Sequence, residues 1–394
     1  MTSTTLRARW VLPIDGPPIE GGYVAVADGF IVVVGSQDPN CGPVTDLGDV
    51  VLLPGLVNAH THLEFSGLAK PLGTPGTSLP AWIRSVIADR GRGDRDASAA
   101  IAAGLAESAA AGVTTIGEIA TSPAHCYQVD GSPRTLLFQE AIGFSAGRVD
   151  SVASEMERRV DAAGRSAGIS PHAPYTVNPQ LLVRLVDMAI DRQLPIAMHL
   201  AESREELELL RHGSGPFQEL LAERSMWDDA AIPRGSRPLD YLRQLARASR
   251  SLAIHGNYFD AEEIAFAASH RDRMSVVYCP RTHAYFEHKP YPLAAMLDAG
   301  VRVALGTDSR ASNPDLNLLS EVQYVALRFP QIDPATLLRM ATIDAAEALD
   351  FGDLVGSLTP GKRAELKMVR CDGDLRDPYA ALLTVGACLT SRAT

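Results

Sequence analysis

Apolar residues along this chain fall into short runs alternating with amphipathic, alanine-rich stretches, and the texture changes near residue 50. Before it, residues 5–11, 22–26 and 30–34 read as short strands parted by the turn-forming Pro17-Pro18 and Asp38-Pro39-Asn40. After it, residues 50–59 predict one mostly buried strand. Further apolar runs at 113–116, 135–138, 169–172, 194–199, 251–255, 275–279 and 301–308 predict seven more. Helical periodicity fills intervals at 98–111, 151–165, 180–192, 261–270 and 293–299, with Ser98 a candidate N-cap and Gly112 and Gly300 as stops. Residues 204–250 read as a longer helical and irregular segment, and helices start at Leu319 and Pro334.

Eight strand–helix units whose strands are too apolar for a sheet wetted on one face predict an α/β fold built on a (β/α)8 TIM-like barrel. A doubly wound open sheet would carry a Gly-rich phosphate turn after its first strand, and none is present. Past Leu349 the pattern returns to turns and strands. The two ends of the chain are therefore expected to combine into a small β-sandwich domain, residues 1–53 and 354–394, beside a barrel at 54–353.

The chain has 394 residues, 46% of them hydrophobic and 21% charged, the make-up of an ordinary globular protein. A net charge of −11 without a dense Lys/Arg stretch argues against a nucleic-acid partner. No uncharged apolar run is long enough to span a membrane, and Met1 to Arg9 lacks a signal-peptide pattern. Five scattered cysteines without a C-x-x-C pair disfavour a disulfide framework, so a reducing cytoplasm is the expected location. A homo-oligomer stays open.

Candidate chemistry concentrates at predicted strand ends, where barrel enzymes carry their active sites. His60 and His62 are two apart on an extended chain, so their side chains point the same way. Two imidazoles on one side are a starting point for a zinc or iron site, although the spacing alone is common. His172, His199, His255 and Asp308 stand at the ends of strands 4, 5, 6 and 8. Glu202, three residues past His199, offers a carboxyl group for acid–base work; Glu205 and Glu206 read as first-turn helix glutamates favoured by the helix dipole.

Four segments, Pro54-Gly55-Leu56-Val57-Asn58-Ala59-His60-Thr61-His62, Met198-His199-Leu200-Ala201-Glu202, Ile254-His255-Gly256 and Gly306-Thr307-Asp308-Ser309, together resemble the amidohydrolase superfamily, in its deaminase/chlorohydrolase branch. The resemblance implies one divalent metal, zinc first and iron as the alternative, on His60, His62, His199 and Asp308. It makes Glu202, His255 and Asp308 the catalytic groups of a hydrolytic deaminase acting on an aminopurine nucleoside-like or related heterocycle. Binuclear members bridge two metals with a strand-4 lysine. Here strand 4 ends Ser170-Pro171-His172, and no lysine lies between Lys70 and Lys289, so a single metal is expected.

His172 matches a substrate-contacting histidine of the branch. Glu64 and Phe65, close after the metal pair, are expected to line the pocket. Trp82 is expected either to stack on the substrate ring or to anchor its helix. Arg281 is expected either to meet a polar substrate group or to be a surface arginine. The branch's methylthioadenosine/S-adenosylhomocysteine deaminases carry a glutamate before that tryptophan, where this chain has Leu79-Pro80-Ala81. Residues 306–316 look closer to aminodeoxyfutalosine deaminases, which puts 6-aminodeoxyfutalosine among the candidate substrates. The alternatives are displacement of chloride or an alkylamine from a heteroaromatic ring, and a non-catalytic binding relative.

Overall fold

Eight parallel strands neighbour one another in the order in which they occur in the chain: Leu56–Thr61, Val113–Ala120, Arg134–Ala141, Ala167–Pro171, Ile196–Leu200, Ser251–His255, Met274–Tyr278 and Val303–Leu305. A parallel bridge between Thr61 and Asp308 joins the last strand's end to the first. This TIM-like barrel belongs to a computed structural model that describes residues 3–93, 96–371, 376–384 and 386–390.

Helices pack outside the barrel on apolar stripes. In Pro179–Asp191, for example, Leu181, Leu182, Leu185, Val186 and Ala189 are buried, and each leucine so covered contributes about 1.5–3 kcal/mol. Asn178 caps that helix by accepting the Gln180 N–H at 3.0 Å, and Pro179, lacking an N–H, suits its first turn. The expected helix at 98–111 runs Ala97–Ala110 instead, capped by Asp96, because the Asp96 carboxylate reaches the Ala99 N–H at 3.1 Å. Residues 204–250 resolve into three helices, Arg204–His212, Pro216–Glu223 and Pro238–Leu245. One connection is thinner than the repeat predicts: between the second and third strands there is only the 3-10 turn Ala124–Tyr127, in a stretch broken by Pro123, Gly131 and Pro133. No helix among the described residues is long and apolar enough to cross a membrane.

Two further four-stranded sheets stand apart from the barrel. One holds Ser3–Arg7, Tyr23–Ala27, Phe30–Gly35 and Val44–Asp46; the other pairs Val50–Pro54 with Leu366–Arg370 and Trp10–Val11. Leu6, Val11, Val24, Ile31, Leu52 and Leu358 form their shared core.

Two expected strands are each split. Residues 5–11 divide between the two sheets at Ala8-Arg9. Residues 50–59 divide at Gly55, so the first half serves the small sheet and the second opens the barrel. A Cβ on Gly55 would lie 2.3 Å from Thr114 Cγ2, which leaves glycine as the residue that lets the chain pass this crossing.

Candidate active site

The site is assembled by the way the barrel closes. Asn58, fully buried, donates to Thr307 Oγ1 at 2.8 Å and accepts the Thr307 N–H at 3.1 Å. Thr61 Oγ1 donates to the Asp308 carbonyl at 2.8 Å, and the Asp308 N–H donates to the His60 carbonyl at 3.1 Å. These bonds fix strand 8 against strand 1 and set Asp308 beside the two histidines. The fit leaves no spare room: a Cβ on Gly306 would meet the His60 carbonyl oxygen at 2.8 Å and His60 Cβ at 2.9 Å. Gly306→Ala is therefore expected to destabilise the protein by about 1–3 kcal/mol through overpacking. It should also lower metal content, because the atom pushed is the backbone that aims His60. Thermal melts and metal stoichiometry read the two effects; a variant with wild-type values for both would show that this contact has slack.

His60, His62, His199 and Asp308 converge. His62 Nε2 lies 3.3 Å from His199 Nε2, and Asp308 Oδ1 lies 3.6 Å from His60 Nε2 and 3.7 Å from His62 Nε2. His199 Nδ1 is 2.9 Å from the His172 carbonyl, which can only accept, so the proton sits on Nδ1 and the Nε2 lone pair faces the cluster. His60 is 0% exposed, and neither of its ring nitrogens has a hydrogen-bond partner among the described residues. Burial first, and then the neighbouring imidazoles, hold His62 and His199 well below the ordinary histidine pKa. Burial alone would raise the Asp308 carboxyl, but the close approach of His60, with His62 and His255 behind it, outweighs that and keeps it ionised. Three imidazoles and one carboxylate, with an orphaned buried nitrogen pair between them, fit a divalent cation.

Glu202 and His255 form the other half, with His255 Nε2 3.5 Å from Glu202 Oε1. Burial, followed by the charges of Asp308 and Glu206, pushes the Glu202 carboxyl well above its usual range, which favours its protonated form. Burial pushes His255 down to about 3, leaving it neutral. Glu206 lies in the first turn of the helix Arg204–His212, as expected, and does more there: it is fully buried, and its carboxylate accepts the Ala201 N–H at 2.8 Å and the Glu202 N–H at 2.9 Å, clamping the turn that carries Glu202. Ala201, His255 and Asp308 all adopt positive φ (52°, 73° and 56°), a costly backbone state for non-glycine residues. All three lie where a strand turns into the mouth of the site.

Above the cluster is a cavity of 280 Å³. His172, Trp82 and Phe65 line it. Trp82 is anchored as well: Nε1 donates to the Ala311 carbonyl at 3.1 Å and the ring meets Phe286 edge-on at 5.4 Å. Glu64 and Arg281 do not line it. Glu64 turns away to accept from Thr121 Oγ1 and Tyr127 Oη and pairs with Arg90 at 3.6 Å. Arg281 is drawn off by two carboxylates, with Nε 2.6 Å from Glu321 and Nη2 2.6 Å from Asp315, so neither substrate contact nor surface position describes it. Tyr175, Phe217, Glu140 and Arg90 were not anticipated. Tyr175 stacks on Phe217 at 3.9 Å to give one aromatic wall. The Pro-His-Ala-Pro-Tyr context of Tyr175 was a usable signal; Phe217 lay in a segment without clear periodicity.

The profile of the amidohydrolase family matches residues 51–385. The 5-methylthioadenosine/S-adenosylhomocysteine deaminase of Moorella thermoacetica is 30% identical over 94% of this chain and 85% of its own length. The aminodeoxyfutalosine deaminase of Deinococcus radiodurans is 33% identical over 80% of each chain. Among solved structures, a zinc-bound adenosine deaminase from Xanthomonas campestris aligns with a TM-score of 0.78 at 26% identity, covering 97% of this chain and 88% of that one.

Proposed function

The chain belongs to the amidohydrolase family, and from that membership we propose that it is a hydrolytic deaminase of an aminopurine nucleoside or a closely related heterocycle. The observation that carries the reading is a buried Glu202 facing a cavity next to a histidine–aspartate cluster whose central imidazole has no hydrogen-bond partner among the described residues. The named activities of the Moorella and Deinococcus relatives support it.

One divalent ion, zinc in our reading, would be held by His60, His62, His199 and Asp308. When bound, such an ion lowers the pKa of water toward 7 and polarises the carbon under attack. The chain's own groups do the rest. Glu202 donates its proton to the ring nitrogen beside the amino-bearing carbon, making that carbon electrophilic. Asp308, ionised, accepts a proton from the attacking water. His255, neutral and 3.5 Å from Glu202, orients the incoming oxygen. Glu206 keeps Glu202 in register by holding its backbone. The tetrahedral centre then collapses: the proton on Asp308 passes to the amino group, the carbon–nitrogen bond breaks to release ammonia, and the proton of the new hydroxyl returns to Glu202, leaving a carbonyl beside the protonated ring nitrogen. Tyr175, Phe217 and Trp82 enclose the ring and exclude bulk water.

An ammonia-release screen of the metal-loaded enzyme tests this. Adenosine, 5′-methylthioadenosine, S-adenosylhomocysteine and 6-aminodeoxyfutalosine are expected to release ammonia, with free guanine and pterins far slower. Chloride release from a chlorotriazine without ammonia from any amine would transfer the site to the halide-displacing alternative. Stoichiometric metal with no turnover of either kind would favour a binding protein.

A further inference from the structure

Glu140, at the end of the third barrel strand, has no assigned part in this chemistry, yet it is built into the cavity. Its side chain is only 9% exposed, and among the described residues no group donates a hydrogen bond to its carboxylate. Strand pairing aligns Glu140 with Ser170, and the His172 N–H donates to the Ala141 carbonyl at 3.1 Å, so His172 stands beside it. His172 Nε2 lies 3.9 Å from Glu140 Oε1.

Thr176 Oγ1 lies 2.7 Å from His172 Nδ1 and 3.2 Å from the Ala173 carbonyl, which holds the imidazole in place beside Glu140. The Glu140 carboxylate thus lines the cavity without a hydrogen-bond donor among the described residues. A nearly buried carboxylate of this kind gains from a ligand that brings two adjacent donors to its two oxygens. The helix Leu79–Arg90 lines the same cavity with Leu79, Trp82, Ile83, Val86 and Ile87, none of them anionic. Glu140 also borders an adjoining open cleft of 540 Å³, which leaves room for the rest of a substrate beyond it.

We propose that the Glu140 carboxylate, beside His172, accepts the vicinal hydroxyls of a substrate sugar and makes the enzyme selective for ribonucleosides. This rests on the deaminase reading, because it places the sugar on the third and fourth strands while the ring meets Glu202.

The test is product binding by calorimetry to the metal-loaded enzyme, using inosine and 2′,3′-dideoxyinosine. The wild type is expected to bind inosine at least about 10-fold tighter, and Glu140→Ala should reduce that ratio to below about 3. Glu140→Gln, which keeps the side chain's size, replaces it if the alanine variant fails to fold. An unchanged ratio in the variant, or equal wild-type affinities, overturns the proposal while ammonia release from adenosine would leave the deaminase reading standing. Absence of both inosine binding and ammonia release overturns the two together.

Discussion

Glutamine at position 202 is expected to leave a folded, metal-loaded protein that has lost about 10²–10⁴-fold in kcat, the range assigned to a positioned general acid–base group. The glutamine amide matches the carboxyl in size and cannot pass a proton to a ring nitrogen and take another back. The turn should survive, because Glu206 holds residues 201 and 202 through their backbone N–H groups and not through the Glu202 side chain. The metal should survive too, since the four converging ligands do not include Glu202. Paired measurements of kcat and metal stoichiometry separate these effects. A Glu202→Gln enzyme turning over near the wild-type rate would remove Glu202 from proton transfer. One that loses its metal would make it a ligand instead.

Chelation should stop turnover and lower the melting temperature together, and readdition of zinc should restore both. His60 is the reason. It is completely buried, and neither ring nitrogen has a hydrogen-bond partner among the described residues, so without a cation it carries the cost of unsatisfied buried polar atoms, about 1–3 kcal/mol each. A ligand that binds only the folded state adds about 4 kcal/mol when its free concentration is about 1,000 times Kd. In a His60→Ala variant the melting temperature is expected to be indifferent to chelator and zinc alike, with activity absent in both conditions. Differential scanning calorimetry with and without chelator decides the matter. A wild-type transition that does not move when metal is stripped would mean that the cluster is satisfied by something other than an ion.

Much of the proposed metal site is legible in the chain. His60, His62, His199 and Asp308 each end an apolar run, and in a parallel barrel the ends of such runs share one rim. The proposed acid–base roles of Glu202 and His255 follow from the same reading. Side chains whose role depends on what surrounds them are a different matter. Glu206 looks like any first-turn helix glutamate until its burial and its two backbone partners are seen. Arg281 invites a substrate role because its own partners stand 34 and 40 residues further along, where no local pattern links them to it. Glu140 lies in an apolar strand and is exposed to the cavity only because of which way that strand faces.

The amino-acid order alone determined the alternation of strands and helices, and with it the barrel and the rim on which the chemistry sits, because backbone geometry converts spacing of 2 or 3.6 residues directly into a buried face. Where the first barrel strand begins was decided by a contact, Gly55 against Thr114, where the chain passes from a small-sheet strand into the barrel. Whether His60 meets Asp308 was decided by barrel closure, through an Asn58–Thr307 pair 249 residues apart. Burial, tautomer and proton occupancy at Glu202 and His199 come from neighbours brought in by that closure, since desolvation and hydrogen-bond partners are properties of a packed site and not of a segment.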